Sequence, residues 1–458
     1  MDYSAANASL WNVVIQLGII AGSILVANFL RSRVKFIRKS MMPIAVIAGF
    51  LLLIFKYIGI VSIDTNIMEI LVYHGIALGF IAMSLRTTKK ENKGKLTGLR
   101  SGAIIVGSYL VQGVSGLIIT ITLGYTLLPK LFKASGLLLP MGFGQGPGQA
   151  NNVGTSYEAL GFAGGRSFGL AIAAAGYLCA CIVGVIMLNI LARKGKFTSE
   201  ERHLTSDDLS VGFFQDKNEI PVSDSIDKLS IQLALVLIVY LVAYLVTWGV
   251  TSGISAISEG LAGTVNTLLW GFNFIIGSAI AILLRVLLEK ANKKKIVRRQ
   301  YQNNYLLNRI SGFFFDIMIV AGIASINLED LSGLWVPFIL LCIAGAVLTW
   351  VFLSIVCKKA YKDYYYEGLI SMYGMLTGTI SSGILLLREI DPDFETPAAT
   401  NLVTGSSFAI ILGAPVLVLI SLAPKSDIMC LLTLGLAAVY LAALMFLLYK
   451  VGSRKEKK

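Results

Sequence analysis

Apolar runs of roughly 20 residues recur from one end of this chain to the other, each long enough to cross a hydrocarbon core of ~30 Å. They fall near 9–30, 43–61, 67–85, 101–125, 167–192, 229–250, 265–288, 306–327, 334–356, 401–422 and 428–448. The pattern predicts an all-α polytopic membrane protein with about 11 transmembrane helices. Composition agrees: of 458 residues, 56% are hydrophobic and 14% charged, where a soluble chain carries about a quarter charged residues. Two further apolar segments, near 134–157 and 368–388, are interrupted by glycine and make no ordinary span.

The net charge of +13 is a topology signal and points to no nucleic-acid partner. Basic clusters at 31–39, 86–100, 290–299 and 454–458 all fall on one side only if both interrupted segments enter and leave on the same side. The positive-inside rule then predicts a multi-pass protein of the plasma (inner) membrane with its N-terminus outside and its C-terminus cytoplasmic. It also makes the two segments re-entrant, the first from outside and the second from inside. The N-terminus lacks the basic n-region of a cleavable signal peptide. The five cysteines lie in or at the ends of apolar runs and read as small core residues, with neither metal spacing nor a disulfide framework.

The two interrupted segments resemble each other. GLLLPMGFGQG from Gly136 and GLISMYGMLTG from Gly368 match glycines at 136/368, 142/374 and 146/378 with one constant offset. Gly165 to Phe168 matches Gly405 to Phe408, and Gly79 to Leu85 matches Gly322 to Leu328. An odd number of crossings separates the third and eighth runs, so the repeats must be inverted in the membrane. The expected organisation is a first repeat over 1–192 with its hairpin at 134–157, and a cytoplasmic linker over 193–228. A second repeat over 229–422 with its hairpin at 368–388 follows, then an extra C-terminal span and basic tail over 423–458. Inverted repeats with broken helices at matching positions point to a secondary transporter whose site lies near the repeat interface. Irregular backbone at membrane depth is tolerated where it is buried in protein or lines a water-filled cavity. At a glycine-rich tip such as GFGQGPGQAN, free N–H groups suit a carboxylate and free carbonyls a cation.

This arrangement resembles the sodium/glutamate symporter family, within the broader group that includes the 2-hydroxycarboxylate transporters. The resemblance rests on Gly144 to Ala150 (GQGPGQA) and on YGMLTGTISSGILLLREIDPDFETPAATNLVTGS, and runs from the first span through the tenth. The eleventh span is an addition to the ten-span pattern. The resemblance implies sodium coupling, L-glutamate or a similar small anion as substrate, a homodimer, and an elevator-like movement of the hairpin domain.

Candidate substrate contacts are Gly144, Gln145, Gly146, Gly148, Gln149, Asn151 and Asn152 at the first tip, and Thr377, Gly378, Thr379, Ser381 and Ser382 at the second. These groups either bind solute or sodium, or satisfy the freed backbone of their own loops. Arg388 can clamp a carboxylate or belong to a solvated turn with Glu389, Asp391, Asp393 and Glu395. Asp316, costly inside an apolar run, is a candidate sodium ligand or proton site, unless it pairs with Arg309. Asn401, Thr404 and Ser406 can complete an ion site. His74 suits proton coupling or a local hydrogen bond, and Asn266 and Asn273 suit helix–helix contacts. The chain has no nucleophile–base pair and no H-E-x-x-H, and the tips match no nucleotide-binding glycine motif, so no enzyme and no cofactor other than sodium as coupling ion are expected. A proton-coupled organic-anion transporter and a channel with glycine-rich filter loops are the alternatives.

Overall fold

The computed structural model describes residues 3–4, 7–35, 37, 42–86, 94–193, 225–257, 269–270, 273–294, 302–391 and 396–453. Most of the 193–228 linker, the start of the seventh run including Asn266, Asp393 and Glu395, and parts of the basic clusters lie outside them, as does the side chain of Ser381. All regular structure among the described residues is helical. Its longer helices are α1 (Ala8–Arg33), α2 (Ile44–Tyr57), α3 (Thr65–Leu85), α4 (Gly94–Tyr125), α5 (Pro147–Glu158), α6 (Gly165–Arg193) and α7 (Ser225–Ile257). They continue with α8 (Asn273–Lys293), α9 (Asn304–Ala324), α10 (Trp335–Ala360), α11 (Tyr365–Thr377), α12 (Ile380–Arg388), α13 (Ala398–Leu422) and α14 (Asp427–Ser453).

Among the described residues, nine helices are long and apolar enough to cross a membrane. Two of the eleven expected spans differ from that standard. The second run forms α2, a helix of 14 residues, which rises only ~21 Å. The seventh forms α8, whose second half carries Arg285, Glu289, Lys290 and Lys293. The two interrupted segments form pairs of short helices.

The helices gather into two compact units, one built from 1–69, 91–199 and 319–458, the other from 70–90 and 200–318. The units divide the chain differently from the sequence repeats, since each combines elements of both. In the first unit, α4 is the axis on which α10, α13, α14 and the first interrupted segment pack. Small residues let backbones approach there: Gly102 lies under Phe408 and Gly405 against Ser101 where α4 meets α13. α1 packs on α2 and is tied to the segment between α2 and α3 by Asn12 Nδ2 donating to Asp64 Oδ2 at 2.6 Å and Gln16 Nε2 to the Ser62 carbonyl at 3.2 Å. Lys56 at the end of α2 donates to the Ile326 carbonyl at 3.0 Å, and Arg166 and Glu69 form an ion pair.

The second unit has its own core, where Leu78, Ile81, Ala82 and Leu85 of α3 meet Val236 and Val239 of α7, Ala281 of α8, and Leu307 and Ile310 of α9. Arg285 Nη1 donates to the Arg86 carbonyl at 3.0 Å and so caps the open end of α3. Arg86 in turn donates to Asn308 Oδ1 at 2.8 Å.

Glycine is most tightly constrained in α4, where a Cβ on Gly116 would strike the backbone of Gly136, while one on Gly18 of α1 would meet nothing within 4 Å. Gly116→Ala should therefore lower the apparent melting temperature in detergent by several degrees, the effect of about 1–3 kcal/mol of overpacking. Gly18→Ala should stay within about 0.5 kcal/mol of the parent.

Candidate functional site

The first interrupted segment runs antiparallel down α4. It starts with a short 3-10 turn at Lys133–Leu137 and continues as a π-helical stretch at Pro140–Gln145. Thr120 Oγ1 donates to the Lys133 carbonyl at 2.6 Å, Gly136 abuts Gly116, and Leu137 and Pro140 lie against Gly113. Gly144 ends the descent beside Tyr109 and Gln112, near the middle of α4. The chain then reverses at Gly146, whose φ of 93° is the left-handed conformation that glycine adopts without a steric cost. Pro147, with φ already suited to a helix, opens α5. α5 climbs back along α6, with Ala150 against Gly169 and Gly154 against Gly165 and Arg166. Both limbs of this hairpin thus begin and end at one end of α6.

The second segment enters from the other end. α11 runs down α10, with the hydroxyls of Tyr365 and Tyr373 donating to the carbonyls of Ser354 (3.3 Å) and Ala346 (3.4 Å). It stops at Thr377, turns through Gly378 and returns as α12, N-capped by Thr379. Gly378 lies against Ala180, and Leu386 against Gly184. Read along α6, the first hairpin occupies its beginning and the second its later half. The tips meet at Gly176, where a Cβ would strike the Thr377 carbonyl of one tip and Phe143 of the other.

Gln112 of α4 joins the same junction. It is fully buried, and its Nε2 donates to the Leu376 carbonyl at 3.0 Å and to Thr349 Oγ1 at 2.8 Å. A carbonyl can only accept, so the amide orientation follows from its partner. Its Oε1 faces Gly144, and an ideal Cβ there would sit 3.0 Å from it. That oxygen has no partner among the described residues, and neither do the buried Gln149 Oε1 and Asn151 Oδ1. No side chain caps α5. Its first-turn N–H groups have no intrahelical acceptor, and Pro147 supplies none, which leaves those of Gly148 and Gln149 at the tip. The junction thus offers helix N–H groups, helix carbonyls and open amide oxygens away from bulk water.

The expected site residues divide into several places. Gly144, Gln145, Gly146, Gly148, Gln149, Thr377, Gly378 and Thr379 lie at or beside the tips. Asn151 Nδ2 donates to Asn152 Oδ1 at 3.4 Å. Thr377 Oγ1 returns to the Tyr373 carbonyl at 2.8 Å, and Thr379 Oγ1 accepts from the Ser382 amide at 3.4 Å. Arg388 stands at the far end of α12 from the tip, in its last turn, with Nε buried and unpartnered among the described residues. Asn401 Nδ2 donates to the Tyr364 hydroxyl at 2.8 Å, while Thr404 and Ser406 donate to Thr400 and Leu402 of their own helix. Asp316 belongs to the second unit. Arg309 lies over the Tyr305 ring instead of pairing with it. Within that unit, His74 Nδ1 and the Tyr240 hydroxyl are hydrogen-bonded at 2.6 Å, and Asn273 Nδ2 donates to the same hydroxyl at 3.1 Å.

A cavity of about 510 Å³ opens at the base of the first hairpin, lined in part by Lys130, Lys133, Asp330 and Asp427. Its charges are largely committed, with Lys133 Nζ on Asp427 at 2.5 Å and Asp330 holding Ser167 and Asn327. No protein-family model matches the chain, and no curated protein sequence is significantly similar to it.

In a background with the native cysteines replaced, Ala180→Cys and Gly378→Cys should form an intramolecular disulfide on mild oxidation. The Cβ of Ala180 lies 3.2 Å from an ideal Cβ at Gly378, close to the separation a disulfide needs. Gly169→Cys, on α6 beside the first hairpin, with Gly378→Cys at the second tip should stay reduced, as read by thiol mass-tagging on gels.

Proposed function

We propose that this chain is a secondary active transporter of the inner membrane, carrying L-glutamate or a similar small anionic amino acid or dicarboxylate in symport with sodium. The single observation that carries the proposal is the meeting of two interrupted helices at Gly176, from opposite ends of α6. Broken helices whose ends converge on buried open polar groups are how transporters hold a solute near the bilayer midplane. In this reading the two segments are re-entrant hairpins of two inverted repeats, among about eleven spans, with the N-terminus outside. The likeness to the sodium/glutamate symporter family adds the homodimer and the coupling ion.

The hairpin tips would hold the solute. Asp316, in the middle of an apolar helix and with no hydrogen bond or ion pair among the described residues, supports a role as a coupling-ion ligand. The hydroxyls of Thr404 and Ser406 donate to their own helix and keep lone pairs that can accept a cation. A proton-coupled variant is supported by the hydrogen-bonded His74 and Tyr240.

Labelled L-glutamate uptake into proteoliposomes tests the proposal. An inward sodium gradient should drive accumulation that a matched potassium control does not, and Asp316→Asn should abolish it. Uptake driven equally well by a proton gradient without sodium would favour the proton-coupled reading, and no uptake of any organic anion would overturn the assignment.

A further inference from the structure

The polar groups of the tip junction differ in sign, and that difference bears on what the solute must look like. The α5 end presents N–H groups from Gly148 and Gln149 and the positive end of a helix dipole, which favours a carboxylate. At the same tip, against Gly144 of the other limb, Gln112 presents an oxygen that accepts nothing from the described residues. The other half of the Gln112 amide is spent on Leu376 and Thr349, and the Leu376 carbonyl can only accept, so Oε1 cannot be exchanged for a donor without losing that bond. Gly144 packs its backbone directly over this buried oxygen, and a side chain there would collide with it and with the Tyr109 ring, so the oxygen faces the tip without a donor. A buried acceptor without a donor is costly. A group that carries its own donors next to a carboxylate would satisfy the oxygen and the helix end together.

We infer that Gln112 Oε1 accepts a hydrogen bond from the ammonium of an α-amino acid whose α-carboxylate sits on the first turn of α5. The junction is therefore selective for the amino-acid head group over a dicarboxylate that lacks the amine. This inference rests on the transport reading and narrows its substrate class. It gives Gln112 two roles: its Nε2 positions the second tip, and its Oε1 reads the solute.

The test is competition against labelled L-glutamate uptake in proteoliposomes, by unlabelled L-glutamate and by glutarate, its analogue without the amine. The parent protein should prefer L-glutamate to glutarate by about tenfold or more, the worth of one charge-assisted hydrogen bond. Gln112→Met, of similar length, also loses the bonds of Nε2 to the second tip, so it should weaken both compounds but L-glutamate several-fold more, and most of the preference should be lost. Thr349→Val removes one partner of Nε2 without touching Oε1 and should keep the preference, which separates solute reading from tip positioning. Equal inhibition of the parent by both compounds would overturn the inference and leave the transporter standing. So would a Gln112→Met variant that weakens both equally, or one that changes only the half-saturating sodium concentration, since sodium would then be the cation at Oε1. Absence of any anion uptake would remove the transport reading and the inference with it.

Discussion

Peptide groups that leave a helix inside a hydrocarbon layer have no water to turn to, so an interrupted segment survives only where protein encloses it on every side. The first unit meets this demand by bringing backbones into direct contact. Gly116 faces Gly136, Gly154 faces Gly165, Gly176 faces the Thr377 carbonyl, and Gly383 faces the Ser371 carbonyl. At each place a methyl group would hold the chains apart and open a gap around unsatisfied peptides. The open ends of the interrupted helices are then brought to the two tips, where α5 begins and α11 ends. The same packing that hides the irregular backbone thereby focuses its polar ends on one small volume.

Much of this was legible in the chain itself. Apolar run length gave the helical class, and the glycines matched at 146 and 378 both fall at reversals, although only Gly146 needs a left-handed φ. The spacing did not separate open polar groups from self-satisfied ones. Thr404 and Ser406 look like ligands in a one-dimensional reading, yet their hydroxyls donate one turn back along their own helix, as hydroxyls in helices often do. Arg388 is close to the second tip in sequence and a whole short helix away from it in space. The difference is geometric, because a helix carries each residue ~1.5 Å further from the tip.

Gln112 was the residue most easily missed, and it has the strongest structural warrant. It sits in a run of apolar and small residues, and an amide inside a span carries the same physical flag as Asp316 at lower cost. Only the packing reveals that one end of that amide holds the second hairpin while the other faces the first. The shortfall of α2 and the charged half of α8 have a similar origin. A sliding count of apolar residues registers total hydrophobicity, whereas the helix stops where its cap and turn residues dictate.

The central claim is that each interrupted segment enters and leaves on one face, and that the two faces are opposite. Membrane-impermeant thiol labelling in sealed vesicles of both orientations tests it directly, on a background without native cysteines. Leu127 and Leu160 flank the first hairpin and are 74% and 56% exposed. Asp363 and Glu389 flank the second and are also exposed. Cysteines replacing Leu127 and Leu160 should label from one face only, and those replacing Asp363 and Glu389 only from the other. A result in which Leu127→Cys and Leu160→Cys label from opposite faces would make the first segment a full crossing and contradict the account.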